Sequence, residues 1–518
     1  MKTAYYLAPL AAAATALAAC QDLEDVNVSP NDPAEVGSNA LMSGAEKWIV
    51  DNVYDNWFSA RQCLVYAQQW AQRNYTEEDR YQIRESVNNG YFNYLYMGVA
   101  NLDKVIELNT DPATAGISAL TGANCNQIAA ARILRAWLMG LITDTWGAVP
   151  YSDVAKLQSE GVIYCKYDDQ AAIYADLIKE VTEAAAQIDE SEAAFTSGDM
   201  IFSGDAAKWK RFAGSLKCRL AIHLSKADPK WKDYIAEALE SGVMESNDDA
   251  AAFHYAATGT EYCKFYEGWY VDGRNDFTIN AKLCDILKGQ PDTLNAKSHP
   301  WEGVVDPRLA VYTTGSNGGD CKGFPYGVPS SYGRAGREGT PNWYVNPPAF
   351  LAQDFAVPLM TYAEQKFIES EYRGFDADDY KAGVEASLEY WTGDVDAAYV
   401  ASVTAHVDAE AVALQKYIDL YLNGTEAWTE IRRTGYPEQL LRPGEIAAVL
   451  GGATITFEPL SEVKGDIISR VKYPTNESTL NGENWREAVA KLTDGTNNYY
   501  TKMIFDKRTG TYDHPANL

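Results

Sequence analysis

Catalysis needs particular side chains at particular spacings, and this chain of 518 residues offers few of them. It contains no Gly-x-Ser-x-Gly elbow, no Gly-x-x-x-x-Gly-Lys phosphate loop and no His-Glu-x-x-His pair. The string Gly333-Arg334-Ala335-Gly336-Arg337-Glu338-Gly339 is rich in glycine but wrongly spaced for a dinucleotide fingerprint. Glycoside hydrolysis needs only two carboxylates, and 72 acidic residues leave any pair unspecified. The histidines (His223, His254, His299, His406 and His514) are isolated, so none forms a ligand-spaced metal pair. Asp376, Asp378 and Asp379, and likewise Asp394 and Asp396, lack the central glycine and trailing glutamate of a calcium loop and read as helix caps or a solvated face. No catalytic residue, metal or cofactor is assigned on these grounds.

Aromatic surface is what the chain has in quantity, with 13 tryptophans and 34 tyrosines against 15 phenylalanines. A tyrosine or tryptophan face can lie on the apolar C–H face of a sugar ring, while its polar edge and nearby Asn, Gln, Arg or Asp meet the hydroxyls. Between about 258 and 348 the helical period fades, glycine and proline rise, and aromatics cluster. Irregular backbone on a rigid support commonly carries binding residues. Trp269, Tyr270, Tyr326, Trp343 and Tyr344 are therefore candidate ligand contacts. A second stretch, 70–81, combines Trp70, Arg73, Tyr75, Arg80 and Tyr81 just after the first expected helix. Most aromatics in so long a chain pack cores, so exposure must decide between the two roles.

The elements that would position these residues read as helices. Over 170–188, Ile173, Leu177, Val181, Ala185 and Ile188 fall on one face, and 127–146 behaves similarly before stopping at Gly147. Further helices are expected at 87–108, 205–225, 231–241, 361–372, 376–390, 408–422 and 425–433. Asn423-Gly424 reads as a left-handed stop and Thr425 as a fresh N-cap, which would fold the last two into a helical hairpin. Hairpins that each bury one face must stack on neighbours, although no strict repeat is visible.

Lys2, the apolar run 5–19 and Leu17-Ala18-Ala19-Cys20 have the form of a secretory signal peptide, the run being too short to span a bilayer. The cysteine at the cut site resembles a bacterial lipoprotein box, which implies that residues 1–19 are removed and that Cys20 carries lipid. Residues 20–36 then read as a lipidated start and polar leash. Residues 37–518 read as one domain with a loop-rich insertion at about 258–348. A formal net charge of -28 without a basic patch excludes nucleic acid as a partner and leaves membrane attachment to the anchor. The seven cysteines other than Cys20 are odd in number, so at least one stays unpaired; small apolar packing is their expected use.

Several pieces, in order, carry a resemblance. They are the box ending in Cys20, Asn27-Val28-Ser29-Pro30-Asn31-Asp32-Pro33, the stretch 66–81 (YAQQWAQRNYTEEDRY) and Thr143-Asp144-Thr145-Trp146-Gly147-Ala148-Val149-Pro150-Tyr151. Asn423-Gly424-Thr425-Glu426-Ala427-Trp428, Arg432-Arg433-Thr434-Gly435-Tyr436-Pro437 and 470–484 (RVKYPTNESTLNGEN) follow. Together they make the chain resemble the SusD/RagB family of Bacteroidetes surface lipoproteins, and more closely its SusD-like branch. The resemblance implies an all-α scaffold of tetratricopeptide-like helix pairs supporting a loop-rich lobe that carries the ligand site. It implies a non-enzymatic role: capture of a glycan, or alternatively a peptide, at the outer face of the outer membrane, and delivery to a TonB-dependent transporter. It adds Trp70, Arg73, Tyr75 and Tyr81 to the ligand-binding candidates by position, and gives Trp146 and Trp428 packing roles between helix pairs. A surface glycan-cleaving enzyme or a structural adhesion subunit are the other classes left open.

Overall fold

Helices that bury one face need neighbours to cover it. The computed structural model describes residues 36–156, 160–256, 261–274, 276–313, 323–332 and 351–509, and in it each long helix lies against the next in sequence. Helix α1 (Ser38–Val53) packs on α2 (Glu85–Thr110), α2 on α3 (Asn124–Trp146), and α3 on α4 (Gln170–Gln187). In turn α4 packs on α5 (Ala206–His223), and α5 on α6 (Trp231–Ser241). The cause is legible in α4, where Ile173, Leu177, Val181 and Ala185 recur every four residues and are all buried.

The C-terminal half repeats the scheme with α7 (Tyr362–Tyr372), α8 (Ala377–Thr392), α9 (Ala409–Asp419) and α10 (Gly424–Thr434). Helix α7 packs on α8, α9 and α5, which joins the two halves. Side-chain caps start these helices: Thr361 accepts from Glu364 N, Asp376 from Asp378 N and Asp379 N, and Asp408 from Ala411 N. Asp396 caps the short helix Ala397–Val403 in the same way, so both aspartate runs serve as caps. The result is the all-α, helix-pair scaffold that the sequence implies.

The turn into α10 departs from expectation. Leu422, at φ 71°, is the left-handed residue; Asn423 occupies the cap position without a side-chain bond, and Thr425 lies within the helix. Gly424 is required for close approach instead, because a Cβ there would sit 2.6 Å from Leu64 N. Every residue of α10 is buried, and the helix also touches α3. Trp428 Nε1 donates to Ile468 O at 3.0 Å, and Arg432 donates to Asp144 O at 2.8 Å and Ser469 O at 2.9 Å. Trp146 is likewise enclosed, donating to Asn88 Oδ1 at 3.1 Å, so both tryptophans pack the scaffold.

Among the described residues the strands are short and form four two-stranded antiparallel sheets. These are β1 (Trp70–Gln72) with β5 (Phe277–Ile279), β2 (Val149–Pro150) with β3 (Tyr167–Asp168), β4 (Ala251–His254) with β6 (Ala356–Met360), and β7 (Ile446–Leu450) with β8 (Ala453–Thr456). Cys63, Cys125, Cys165, Cys218 and Cys263 are free thiols, three of them buried as small apolar residues.

A charge network fills the space between α3, α5, α7 and α10. Arg219 meets Glu364 at 2.5 and 2.7 Å, His223 meets Glu426 at 2.8 Å and Tyr174 at 2.9 Å, and Lys416 and Arg433 hold Glu430 at 3.3 and 2.8 Å. Burial opposes charge on His223, but Glu426, Asp144 and Glu430 outweigh it and raise its pKa above the ordinary 6.5. Burial likewise opposes charge on Glu426, yet His223 and Arg219 hold it down to about 2 from 4.5. The histidine's contribution to stability is complete below 6.5 and is lost as pH rises through its higher folded value. The glutamate's contribution is complete above 4.5 and is lost as pH falls towards 2. Thermal unfolding followed against pH should therefore show an alkaline decline beginning above 6.5 that is flattened in His223→Gln. An unchanged alkaline limb in that variant would sink the assignment.

Candidate functional site

Strand β1 lies just after α1, and β5 lies within the aromatic tract about two hundred residues later. Their pairing, with Trp70 opposite Ile279, Ala71 opposite Thr278 and Gln72 opposite Phe277, brings the two candidate stretches together. Arg73 N extends the contact by donating to Asp276 O at 2.7 Å, and Asn74 Nδ2 donates to Asp276 Oδ1 at 3.1 Å.

The same pairing corrects several sequence expectations. Trp70 is fully buried, donates to Tyr421 Oη at 2.9 Å and packs its ring between Phe265 and Phe277. Tyr81 is fully buried against Tyr66 and Phe457, and Tyr326 packs against that same Phe457. These three rings offer no face to a ligand. Segments without long helices still need a core, and the aromatics supply it. Arg73 and Trp269 are also largely enclosed. Tyr75 and Tyr270 are the candidates that reach solvent, at 52% and 51% exposure. Tyr75 holds a left-handed backbone at φ 57°, which is uncommon for a bulky side chain and is a kind of strain that gathers at functional sites. Trp343, Tyr344 and Cys20 lie outside the described residues.

Sequence reasoning missed Trp57, which is 40% exposed. It precedes a π-helical turn, Ser59–Cys63, and a second such turn, Glu267–Val271, carries Trp269 and Tyr270; π turns recur at functional sites. The two turns are fitted closely together, since a Cβ at Gly268 would fall 1.1 Å from Asn56 Nδ2, which itself donates to Lys264 O at 3.2 Å. Arg274 N donates to Gly268 O at 2.7 Å, and the Arg274 guanidinium lies 5.5 Å from the Trp57 ring centroid. Buried Arg61 supports that ring at 4.8 Å. Leading into the second turn, Tyr262, Tyr266 and Tyr270 form a ladder, with centroids 5.3 and 5.1 Å apart and a hydrogen bond from Gln353 Nε2 to Tyr266 Oη at 3.0 Å. Their four-residue spacing was the readable signal.

Polar groups frame these rings. Arg61 pairs with Glu78 at 3.0 Å, Arg84 with the same carboxylate at 2.7 Å, and Asp276 stands 3.9 Å from both Arg61 and Arg274. Burial, opposed by a hydrogen bond from Gln72 N and reinforced by Glu78 and Glu77, keeps the Asp79 carboxyl well above the usual carboxylate range. The exposed chemistry is thus aromatic rings with a guanidinium against them, groups that can meet the C–H faces and hydroxyls of saccharides.

Two other places merit comparison. His223, Glu426 and Glu430 lie close enough to share a metal ion, but Arg219, Lys416 and Arg433 already neutralise those carboxylates from within the helix bundle. A groove of about 1120 Å³ runs along the outer face of α2, lined by Phe92, Tyr96, Ile106, Tyr164 and Leu480 among others. It is largely apolar, and no residue of β1 or β5 lines it.

The helix-pair scaffold bearing short two-stranded sheets defines a fold shared with solved structures. The chain superposes on a chitin-binding protein with a TM-score of 0.71 at 23% identity, over 91% of this chain and all of that one. It superposes on a chitin-binding SusD homolog from Flavobacterium johnsoniae with a TM-score of 0.70 at 21% identity, again over 91% and 100%. A SusD homolog from Parabacteroides distasonis gives 0.70 at 20% identity, over 92% of this chain and 99% of that one. No protein with a curated description matches the chain. A family model, SusD-like_2, described as starch-binding and associating with the outer membrane, matches residues 30–456, and the chain belongs to that SusD-like family. Among the described residues no helix is long and apolar enough to cross a membrane.

Proposed function

We propose that this protein is a lipid-anchored glycan receptor at the cell surface, which collects oligosaccharide or polysaccharide and delivers it to a TonB-dependent outer-membrane transporter. The family's association with starch binding and the outer membrane supports the glycan and the location, and Cys20 is the proposed anchor. The observation that carries the reading is the joining of two sequence-distant segments through β1 and β5, with Trp57, Tyr75 and Tyr270 exposed around the junction. Trp343 and Tyr344 remain proposed contributors. Rings on a preformed support bind without much ordering cost, and transport requires easy release. Affinities of roughly micromolar to millimolar, about -8 to -4 kcal/mol, suit that task.

Native affinity electrophoresis against a panel of neutral and acidic polysaccharides tests this. Trp57→Ala and Tyr270→Ala should each weaken retention about tenfold or more, with helical circular dichroism unchanged. Full retention in both variants would move the site elsewhere. Hydrolysis products appearing in the gel would overturn the non-enzymatic reading.

A further inference from the structure

We infer that the saccharide taken at Trp57 is acidic, its carboxylates being received by Arg274; the inference rests on the glycan-binding reading above. The chain as a whole repels anions, with 44 basic against 72 acidic residues. The junction beside Trp57 nonetheless gathers guanidiniums among its acids. Three guanidiniums, those of Arg61, Arg84 and Arg274, share two carboxylates, Glu78 and Asp276. Burial raises the pKa of the neighbouring Asp79 carboxyl well above its ordinary value.

The three arginines are not equivalent. Arg61 is buried and bonded to Glu78, and Arg84 is bonded to the other oxygen of the same group. Arg274 has a side chain 41% exposed, and its ion-pair distance is 3.9 Å, to a carboxylate that also faces Arg61 at 3.9 Å. That separation is beyond hydrogen-bond range, so the donors of Arg274 are weakly engaged by Asp276. A guanidinium presents a rigid planar fork that matches a carboxylate in two parallel hydrogen bonds. That of Arg274 lies over the partly exposed Trp57 indole, 5.5 Å from the ring centroid, so a carboxylate held by the fork would bring its sugar against that indole. A hexuronate fits both halves: a C–H face for the ring and an equatorial carboxylate for the fork. Neutral sugars would use the indole but leave the Arg274 fork without a partner.

The full chain would be run in native gels containing polygalacturonate, alginate or heparosan as uronate probes, methyl-esterified polygalacturonate and amylose as neutral ones, and dextran sulfate as a sulfated one. Retention by at least one uronate is expected, weakened tenfold or more by Arg274→Gln, by 0.5 M salt (a chosen screening condition, about 4 Å in Debye length), and, if the ligand is polygalacturonate, by esterification. Arg274→Lys, which keeps the charge and loses the fork, should recover only part of the binding. Retention by neutral glycans alone, lost in Trp57→Ala but unaltered in Arg274→Gln, would overturn the inference and leave the glycan reading standing. Retention by dextran sulfate without any uronate would overturn the carboxylate assignment. Failure to retain any glycan would overturn the underlying reading itself.

Discussion

Glu364→Ala should destabilise the protein by about 3–5 kcal/mol, because it leaves the Arg219 guanidinium buried without its carboxylate. Arg219 and Glu364 are both enclosed, and the pair spans α5 and α7, the contact that joins the two helical halves. Glu426 stands 3.7 Å from Arg219 but is already held by His223, so it compensates only in part. Denaturant unfolding measures the effect as a shift of midpoint at constant slope. The double variant Arg219→Met/Glu364→Leu should recover most of the loss, since apolar groups of similar volume remove the desolvation cost together with the attraction. A change below about 1 kcal/mol in Glu364→Ala would mean that water or a rearranged partner reaches Arg219.

Trp428→Ala should cost a comparable amount, about 3–5 kcal/mol, for a different reason. Its indole is fully buried in α10, meets the Tyr66 ring at a centroid distance of 5.2 Å and carries the Arg432 guanidinium 3.6 Å above it. Truncation opens a cavity, removes the bond to Ile468 O and takes away the ring that steadies a buried cation. Burial already holds the Arg432 pKa down to about 10, so its charge is costly even with the bonds to Asp144 O and Ser469 O. Trp428→Phe keeps a ring beneath the guanidinium and should lose far less in the same denaturation experiment. Equal losses from both variants would assign the effect to the indole hydrogen bond alone.

The helices were legible because burial of one face imposes a period that survives in sequence. The expected stretch at 231–241 coincides with α6 (Trp231–Ser241), and that at 170–188 with α4 (Gln170–Gln187). Packing roles for Trp146 and Trp428 were legible through the family resemblance rather than through that period. The binding surface was not, because an aromatic in a short strand or irregular turn has no period to declare which way it points. Trp70 and Tyr75 stand five residues apart in one candidate stretch, yet one closes the core and the other faces solvent. Trp70 is fixed by the pairing of β1 with a strand some two hundred residues away, whereas Tyr75 lies beyond that strand on a left-handed backbone. Gly424 was read as a turn residue when its job is to let α10 touch the backbone at Leu64, a tertiary demand invisible from its neighbours.

The three-rung ladder of β1 and β5 has a consequence for how such proteins diversify. Because the solvent-facing rings hang from this small seam while the helices close their own interior, substitutions at a few exposed positions can redirect what is captured without disturbing the frame. A solved structure barely a fifth identical keeps the same architecture.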